Sequence, residues 1–174
     1  MIHFYYGDGK GKTSAAIGAA VRFSGAGGKV LFFQFLKGNR SSERKALGQM
    51  ENFKILNGPE KMKFVFQMTP EEKKQMAEYY RNKLKELQGI VKNEDIGMLV
   101  LDEAGDSIGC GLLTEQEILD FLQDIMELTG DREIILTGHQ PVQALMDKCD
   151  YITCMEKKRH PYEQGKEARR GIEY

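Results

Sequence analysis

The chain carries almost no net charge: 25 lysines and arginines stand against 26 aspartates and glutamates, for −1 at pH 7. Without a basic excess there is no broad field to hold a phosphodiester backbone, so nucleic acid is not an expected partner. Cysteine is scarce as well. Cys110, Cys149 and Cys154 form no C-x-x-C pair, and His3, His139 and His160 are too scattered to complete a metal-ligand spacing. Free thiols in a reducing cytosol are the expectation. No apolar run approaches the roughly 20 residues of a membrane span, and the chain begins at once with a strand-like run where a leader would show charge and then an apolar stretch. A cytoplasmic protein with no membrane partner is expected. Repeats and low-complexity segments are absent too. At 174 residues the chain has the length of one domain, enough to bury roughly 70% of its unfolded surface.

What is present begins at the second residue. The apolar run Ile2-His3-Phe4-Tyr5-Tyr6 leads directly into Gly7-Asp8-Gly9-Lys10-Gly11-Lys12-Thr13-Ser14. This reads as a strand entering a phosphate-binding loop. Glycines let backbone N–H groups turn toward an oligophosphate, Lys12 offers a point charge, and Thr13 offers a hydroxyl to the accompanying divalent metal. A strict G-x-x-x-x-G-K-[ST] pattern would place glycine where Tyr6 stands. The match is therefore to the Gly-Lys-Thr core with a displaced first glycine. A glycine- and lysine-rich surface turn is the alternative, disfavoured by the strand before it and the helix after it.

Thr13 to Gly27 is alanine-rich, with Ala16, Ile17, Ala20 and Val21 on one stripe and a glycine stop at Gly25-Ala26-Gly27-Gly28. Val30 to Leu36 is an almost unbroken apolar run, as in a parallel strand covered on both faces. Gly38 to Ser42 reads as loop and Phe53-Lys54-Ile55-Leu56 as a short strand. Thr69-Pro70-Glu71-Glu72 forms a capping box opening a helix that runs to about Asn93, with Met76, Tyr80, Leu84, Leu87 and Val91 at helical spacing. Met98 to Glu103 reads as a buried strand ending in two carboxylates. Thr114-Glu115-Gln116-Glu117 opens another capped helix, with Ile118, Leu122, Ile125 and Met126 expected to face inward. A strand at Ile134 to Gly138, a short helix from Pro141 to Lys148 and a last strand at Tyr151 to Met155 complete the series. Alternating strands and helices predict an α/β fold: a doubly wound, mainly parallel sheet of the P-loop NTPase (RecA-like) kind, as one domain over 1–174 with an irregular tail from about 157. Ligands of such a sheet sit at the carboxyl ends of its strands.

The chemistry-bearing residues cluster at those ends. Asp102 and Glu103 suit Mg²⁺ held beside the Thr13 hydroxyl, although many strands end in an acidic residue at the water interface. Thr137-Gly138-His139 ends the next strand, where His139 could touch phosphate or stand as a solvated loop histidine. Arg22 and Lys37 are cations expected near the nucleotide, or else solvated charges. Phe64 and Phe66 lie on one face of a segment expected to be extended, and two such aromatics are ordinarily core. These parts define an Mg²⁺-assisted, nucleoside-triphosphate-dependent protein and leave kinase, ATPase and nucleotidyl or adenosyl transfer open.

The tail narrows the choice. His160-Pro161-Tyr162, Gly165, Ala168-Arg169 and Gly171-Ile172-Glu173-Tyr174, together with the loop, Gln34-Phe35-Leu36-Lys37-Gly38 and Leu101-Asp102-Glu103, resemble the ATP:corrinoid adenosyltransferase family over essentially the whole chain. The resemblance implies transfer of the 5′-deoxyadenosyl group of ATP to the cobalt of a reduced corrinoid, with triphosphate leaving whole. It implies Lys12, Thr13 and Glu103 as the catalytic residues and Gly7 to Ser14 with Arg22 and Lys37 at ATP. Mg²⁺ or Mn²⁺ would sit on Thr13, Glu103 and Asp102, while Phe64 and Phe66 would crowd the lower face of the corrin. A homodimer with terminal segments over the site and a separate cobalt-reducing partner are implied as well. A RecA-like ATPase, a nucleoside kinase and a non-catalytic ATP- or corrinoid-binding module are the alternatives. Where such proteins usually read Thr-Gly-Arg this chain has His139, and where they have Glu in the last strand it has Cys154. Tyr6, at the displaced glycine, is no departure from the family.

Overall fold

The computed structural model describes residues 1–39, 41–128 and 130–172. Its frame is six strands, β1 Ile2–Tyr6, β2 Val30–Gln34, β3 Phe53–Ile55, β4 Met98–Asp102, β5 Glu133–Gly138 and β6 Tyr151–Cys154. They pair in the order β3-β2-β4-β5-β1-β6, every pair parallel. Parallel neighbours require crossovers. These are supplied chiefly by α1 Lys12–Gly25, α2 Ser42–Leu47, α3 Pro70–Asn93, α4 Ala104–Gly109, α5 Glu115–Glu127 and α6 Gln143–Met146.

Side chains alternate across the sheet and are buried on both sides over its inner strands, as the expected doubly wound arrangement requires, while the edge strand β6 is exposed throughout. Leu31, Phe33, Leu99, Leu101, Ile134, Leu136 and Phe4 face a core closed by Tyr80, Leu84, Leu87 and Val91 of α3 and Ile118, Phe121, Leu122 and Ile125 of α5. Val30, Phe32, Met98, Val100 and Ile135 face Ala16 and Ala20 of α1 and Leu47 of α2. Alanines on α1 let that helix lie close against β4 and β5. Both capping boxes form as the sequence predicts: Thr69 with Glu72 opens α3 and Thr114 with Glu117 opens α5.

Several expectations are corrected. Val21 and Met126 stand outside the apolar faces of α1 and α5 and are exposed. The segment after Gly38 re-enters a helix, α2, at Ser42, and α4 was not anticipated. Phe64-Val65-Phe66 is not extended: Val65–Gln67 form a 3₁₀ turn with Phe64 as its cap. Val65 turns inward onto the larger core, so the flanking Phe64 and Phe66 rings turn out to solvent, 69% and 81% exposed, and stack on each other at 5.4 Å. They are not core. The tail holds one 3₁₀ turn, Pro161–Gln164. Glu173 and Tyr174, the end of the tail motif, lie outside the described residues. Among the described residues no helix is long and apolar enough to cross a membrane.

Candidate active site

The loop between β1 and α1 is shaped by what passes over it. Gly7 has φ +116°, and a Cβ there would stand 2.3 Å from the Met155 carbonyl oxygen. No other residue meets both demands. The same carbonyl accepts from the Gly9 N–H at 2.7 Å, Gly7 N–H reaches the His139 carbonyl at 3.2 Å, and Lys157 N–H caps the Asp8 carboxylate at 2.9 Å. The exits of β5 and β6 thus cradle the loop, and this bracing stands in for the glycine missing at Tyr6. Lys12 folds back over the loop, donating to the Gly7 and Gly9 carbonyls at 2.6 and 2.8 Å. Burial pulls its pKa below the usual lysine value, against the opposing pull of Asp106, Asp8, Asp102 and Glu103.

β5 separates the loop strand β1 from the carboxylate strand β4 and contributes the residue that joins them. Asp102 is fully buried, and its Oδ1 accepts from Thr13 Oγ1 at 2.9 Å and Thr137 Oγ1 at 2.8 Å. Its Oδ2 accepts from Lys37 Nζ at 2.9 Å and Gln34 Nε2 at 3.1 Å. Four donors on one carboxylate satisfy it completely, as burial demands. The neighbouring Glu103 sits at φ +60°, held there by its N–H to Thr137 Oγ1 at 2.8 Å. Leu36 is also left-handed, at φ +54°, and its N–H is held by the Tyr80 hydroxyl at 2.8 Å. Such strain outside glycine costs about 1 kcal/mol or more and gathers where geometry must be imposed. Here the two strained residues bracket the meeting of Lys37 with Glu103 at 3.2 Å.

Lys37 is therefore not a cation waiting in solvent. Burial works against its charge, but the Asp102 and Glu103 carboxylates outweigh that and hold its pKa above the usual lysine value. Glu103 moves the other way: burial raises its pKa, with Lys37 opposing. The ammonium marks where a cation is favoured between two carboxylates and beside the Thr13 hydroxyl. Among the described residues no group of three or more His, Cys, Asp or Glu could hold a metal ion by itself. Two carboxylates and a hydroxyl, all hard oxygen donors, fit Mg²⁺ or Mn²⁺ completed by phosphate and water, since Mg²⁺ keeps most of its own shell.

A groove of about 390 Å³ runs along these groups, lined by the loop from Asp8 to Ser14 with Lys37, Glu103, Asp106, Thr137 and His139, and edged by His160, Ala168 and Ile172 of the tail. His139 lines this groove beside the loop while its side chain stays largely exposed to solvent. Arg22 does not belong here: it lies exposed in the last turn of α1, nine residues beyond Thr13 and therefore about 14 Å along the helix. Sequence reasoning missed Gln34, Thr137 and Asp106. The first two had a signal, each being a polar side chain at the carboxyl end of an otherwise apolar strand. Cys154 stands exposed on the edge strand β6, where its thiol bonds the Tyr6 hydroxyl and so raises the Tyr6 pKa.

Comparison with known proteins covers the whole chain. Residues 1–174 match the family described as ATP:corrinoid adenosyltransferase BtuR/CobO/CobP. The corrinoid adenosyltransferase of Pseudomonas aeruginosa is 27% identical over 179 residues, covering 100% of this chain and 83% of that protein. Its counterpart from Sinorhizobium is 28% identical over 174 residues, covering 97% and 77%. That of Escherichia coli K12 is 24% identical over 174 residues, covering 100% and 85%. Among solved structures, domain III of the Thermotoga maritima replication initiation protein DnaA shows a TM-score of 0.45 at 15% identity, over 89% of this chain and 54% of that one. The chain spans about half of that structure, and nothing about its chemistry rests on the likeness.

Proposed function

The chain belongs to the ATP:corrinoid adenosyltransferase family, and from that premise we infer that it transfers the 5′-deoxyadenosyl group of ATP to the cobalt of a reduced corrinoid and releases triphosphate. One observation carries this reading: the family match extends from the phosphate loop through the tail that edges its groove, residues 1–174. A γ-phosphate ATPase or kinase would share the loop but has no need of that tail. A non-catalytic binding module is disfavoured because Lys12, Thr13, Asp102 and Glu103 are all in place.

The bond that breaks is C5′–O5′, its electron pair leaving with the triphosphate. The bond that forms is cobalt–C5′, its electron pair coming from the reduced cobalt. The protein therefore has no need of a nucleophile. In keeping with this, the imidazoles lining the groove bond elsewhere, His139 to Asp106 and His160 to the Tyr162 N–H, and prepare no hydroxyl or thiol for attack. What the chain does is hold C5′ in line and stabilise negative charge as it builds on the leaving triphosphate. Lys12, Lys10 and the N–H groups of Gly11 to Ser14 would bind the phosphate oxygens, while the Gly7 and Gly9 N–H groups hold the loop against β5 and β6. Thr13, Glu103 and Asp102 would hold Mg²⁺ or Mn²⁺, which when bound neutralises part of that charge. Lys37 lines the same groove and would offer its ammonium to a phosphate oxygen.

Phe64 and Phe66 fit a role against the corrin face. Two rings that stack on each other and otherwise stand largely in solvent add little to the core of this chain, and an exposed aromatic pair suits a flat apolar ligand. The tail over the groove fits a terminal segment that covers the reactants. A homodimer, a separate reductase for the cobalt, a cytoplasmic location and a single domain complete the reading. The test is to supply ATP, Mg²⁺ and chemically reduced cobalamin and follow the visible spectrum. A light-sensitive cobalt–carbon chromophore is expected, and ATP consumption without it would overturn the reading.

A further inference from the structure

α4 and the end of β5 approach more closely than ordinary side chains permit: a Cβ on Gly138 would stand 2.9 Å from the Gly105 Cα, and one on Gly105 would stand 3.2 Å from the Gly138 Cα. This glycine contact brings the residues that follow each glycine into register. The Asp106 carboxylate accepts from the His139 N–H with Oδ1 at 3.0 Å and from His139 Nδ1 with Oδ2 at 3.0 Å. The backbone bond anchors the carboxylate, and the second bond orients the ring and, since a carboxylate only accepts, places a proton on Nδ1. With Nδ1 committed to Asp106, Nε2 is the nitrogen left to a ligand, and His139 lines the same groove as Lys12 and the loop. We propose that Asp106 keeps His139 as an imidazolium whose Nε2–H donates to the triphosphate of ATP, making phosphate grip and turnover depend on pH. The proposal rests on the triphosphate lying along the loop, as the proposed function has it.

The electrostatics agree with the geometry. The hydrogen bond to Asp106 raises the His139 pKa, burial and Lys12 oppose, and the Asp106 and Glu103 charges add to the rise. The other charged or titratable groups along the groove are Asp8, Lys10, Lys37 and His160. A bound triphosphate would raise the pKa further. Deprotonation turns Nε2 into a lone pair facing phosphate oxygen, so the contact is present at low pH and lost as pH rises through the folded pKa. Nothing is transferred; the imidazolium acts as a charge-assisted donor.

The experiment titrates inorganic triphosphate into the wild type, His139→Gln, His139→Arg and Asp106→Asn by calorimetry, from about pH 6 to about pH 9, a span that brackets a raised imidazole pKa. Ionisation of the triphosphate is common to all four proteins and cancels between them. Wild-type affinity should fall roughly tenfold or more across the range relative to His139→Arg, which stays tight, while His139→Gln is weak throughout. Asp106→Asn should move the falling limb to lower pH, together with the midpoint of the His139 imidazole proton resonance. The His139 side chain is 57% exposed, so its variants should melt like the wild type. Matching pH profiles and affinities for wild type and His139→Gln would overturn the proposal while leaving adenosyl transfer intact. No triphosphate binding by any variant would overturn both, because the loop itself would then not hold phosphate.

Discussion

Replacing Lys37 with methionine tests how the site holds itself together. Its ammonium lies 2.9 Å from Asp102 and 3.2 Å from Glu103. At the effective dielectric constant of roughly 20 that suits partly buried pairs, those distances give about 6 and about 5 kcal/mol of attraction before desolvation. Desolvation cancels much of this, and breaking a buried pair from one side typically costs about 3 to 5 kcal/mol. The Lys37 and Glu103 side chains keep 29% and 21% exposure, which places the variant at the lower end, about 3 kcal/mol. In a chain of this length each kcal/mol shifts melting by roughly 2 to 4 °C, so Lys37→Met should melt about 6 to 12 °C low. The metal response should then invert. A divalent cation proposed to sit on Asp102 and Glu103 would have to displace the ammonium in the wild type, whereas in the variant it would meet two carboxylates without a cation. Differential scanning fluorimetry with millimolar Mg²⁺ and no nucleotide, at constant ionic strength, should restore much of the variant's loss and move the wild type little. A variant melting within a degree of the wild type, or equal Mg²⁺ shifts in both, would refute the reasoning.

Three further outcomes are expected. Lys12→Ala should lower kcat/KM by roughly a hundredfold or more, because a charged donor to a transition-state oxyanion is worth about 3 kcal/mol; retention of half the activity in a steady-state assay would remove the lysine from the mechanism. Phe64→Ala and Phe66→Ala should leave the melting temperature nearly unchanged, since both rings are exposed, and should adenosylate cobalamin supplied as Co(I) while failing from Co(II) with a weak reductant. Equal loss in both assays would detach them from the corrin. Gly7→Ala places a Cβ against the Met155 carbonyl and should abolish calorimetric ATP binding; unaltered binding would show that the cradle yields.

Much of this was legible in the residues themselves. The inner strands and the two capped helices α3 and α5 announce themselves by apolar run and by cap, because the middle of the sheet buries both faces and the caps are local bonds; the edge strands β3 and β6 show only as short β-branched or aromatic runs. The loop and the Asp102-Glu103 pair were legible for the same reason: each sits at the end of an apolar strand. α4 was not, since Ala104-Gly105-Asp106-Ser107-Ile108-Gly109 carries two glycines and is made helical by packing against β5, a contact made across 33 residues. Asp106 was missed with it. Phe64 and Phe66 read as core because large aromatics usually are, and only the inward turn of Val65 between them shows why they are not. The part played by Lys37 depended on a fold bringing β2 beside β4, which no local pattern states. Arg22 looked close to the nucleotide in sequence and is held away by the rise of its own helix.

The most direct test of the central claim follows one carbon and three phosphates. ATP labelled with ¹³C at C5′ is supplied with Mg²⁺ and chemically reduced corrinoid, and carbon and phosphorus resonances are read in the same tube. The account predicts a cobalt-bound methylene carbon appearing in step with intact triphosphate, one for one. Release of orthophosphate with ADP, while the labelled carbon stays on oxygen, would contradict it.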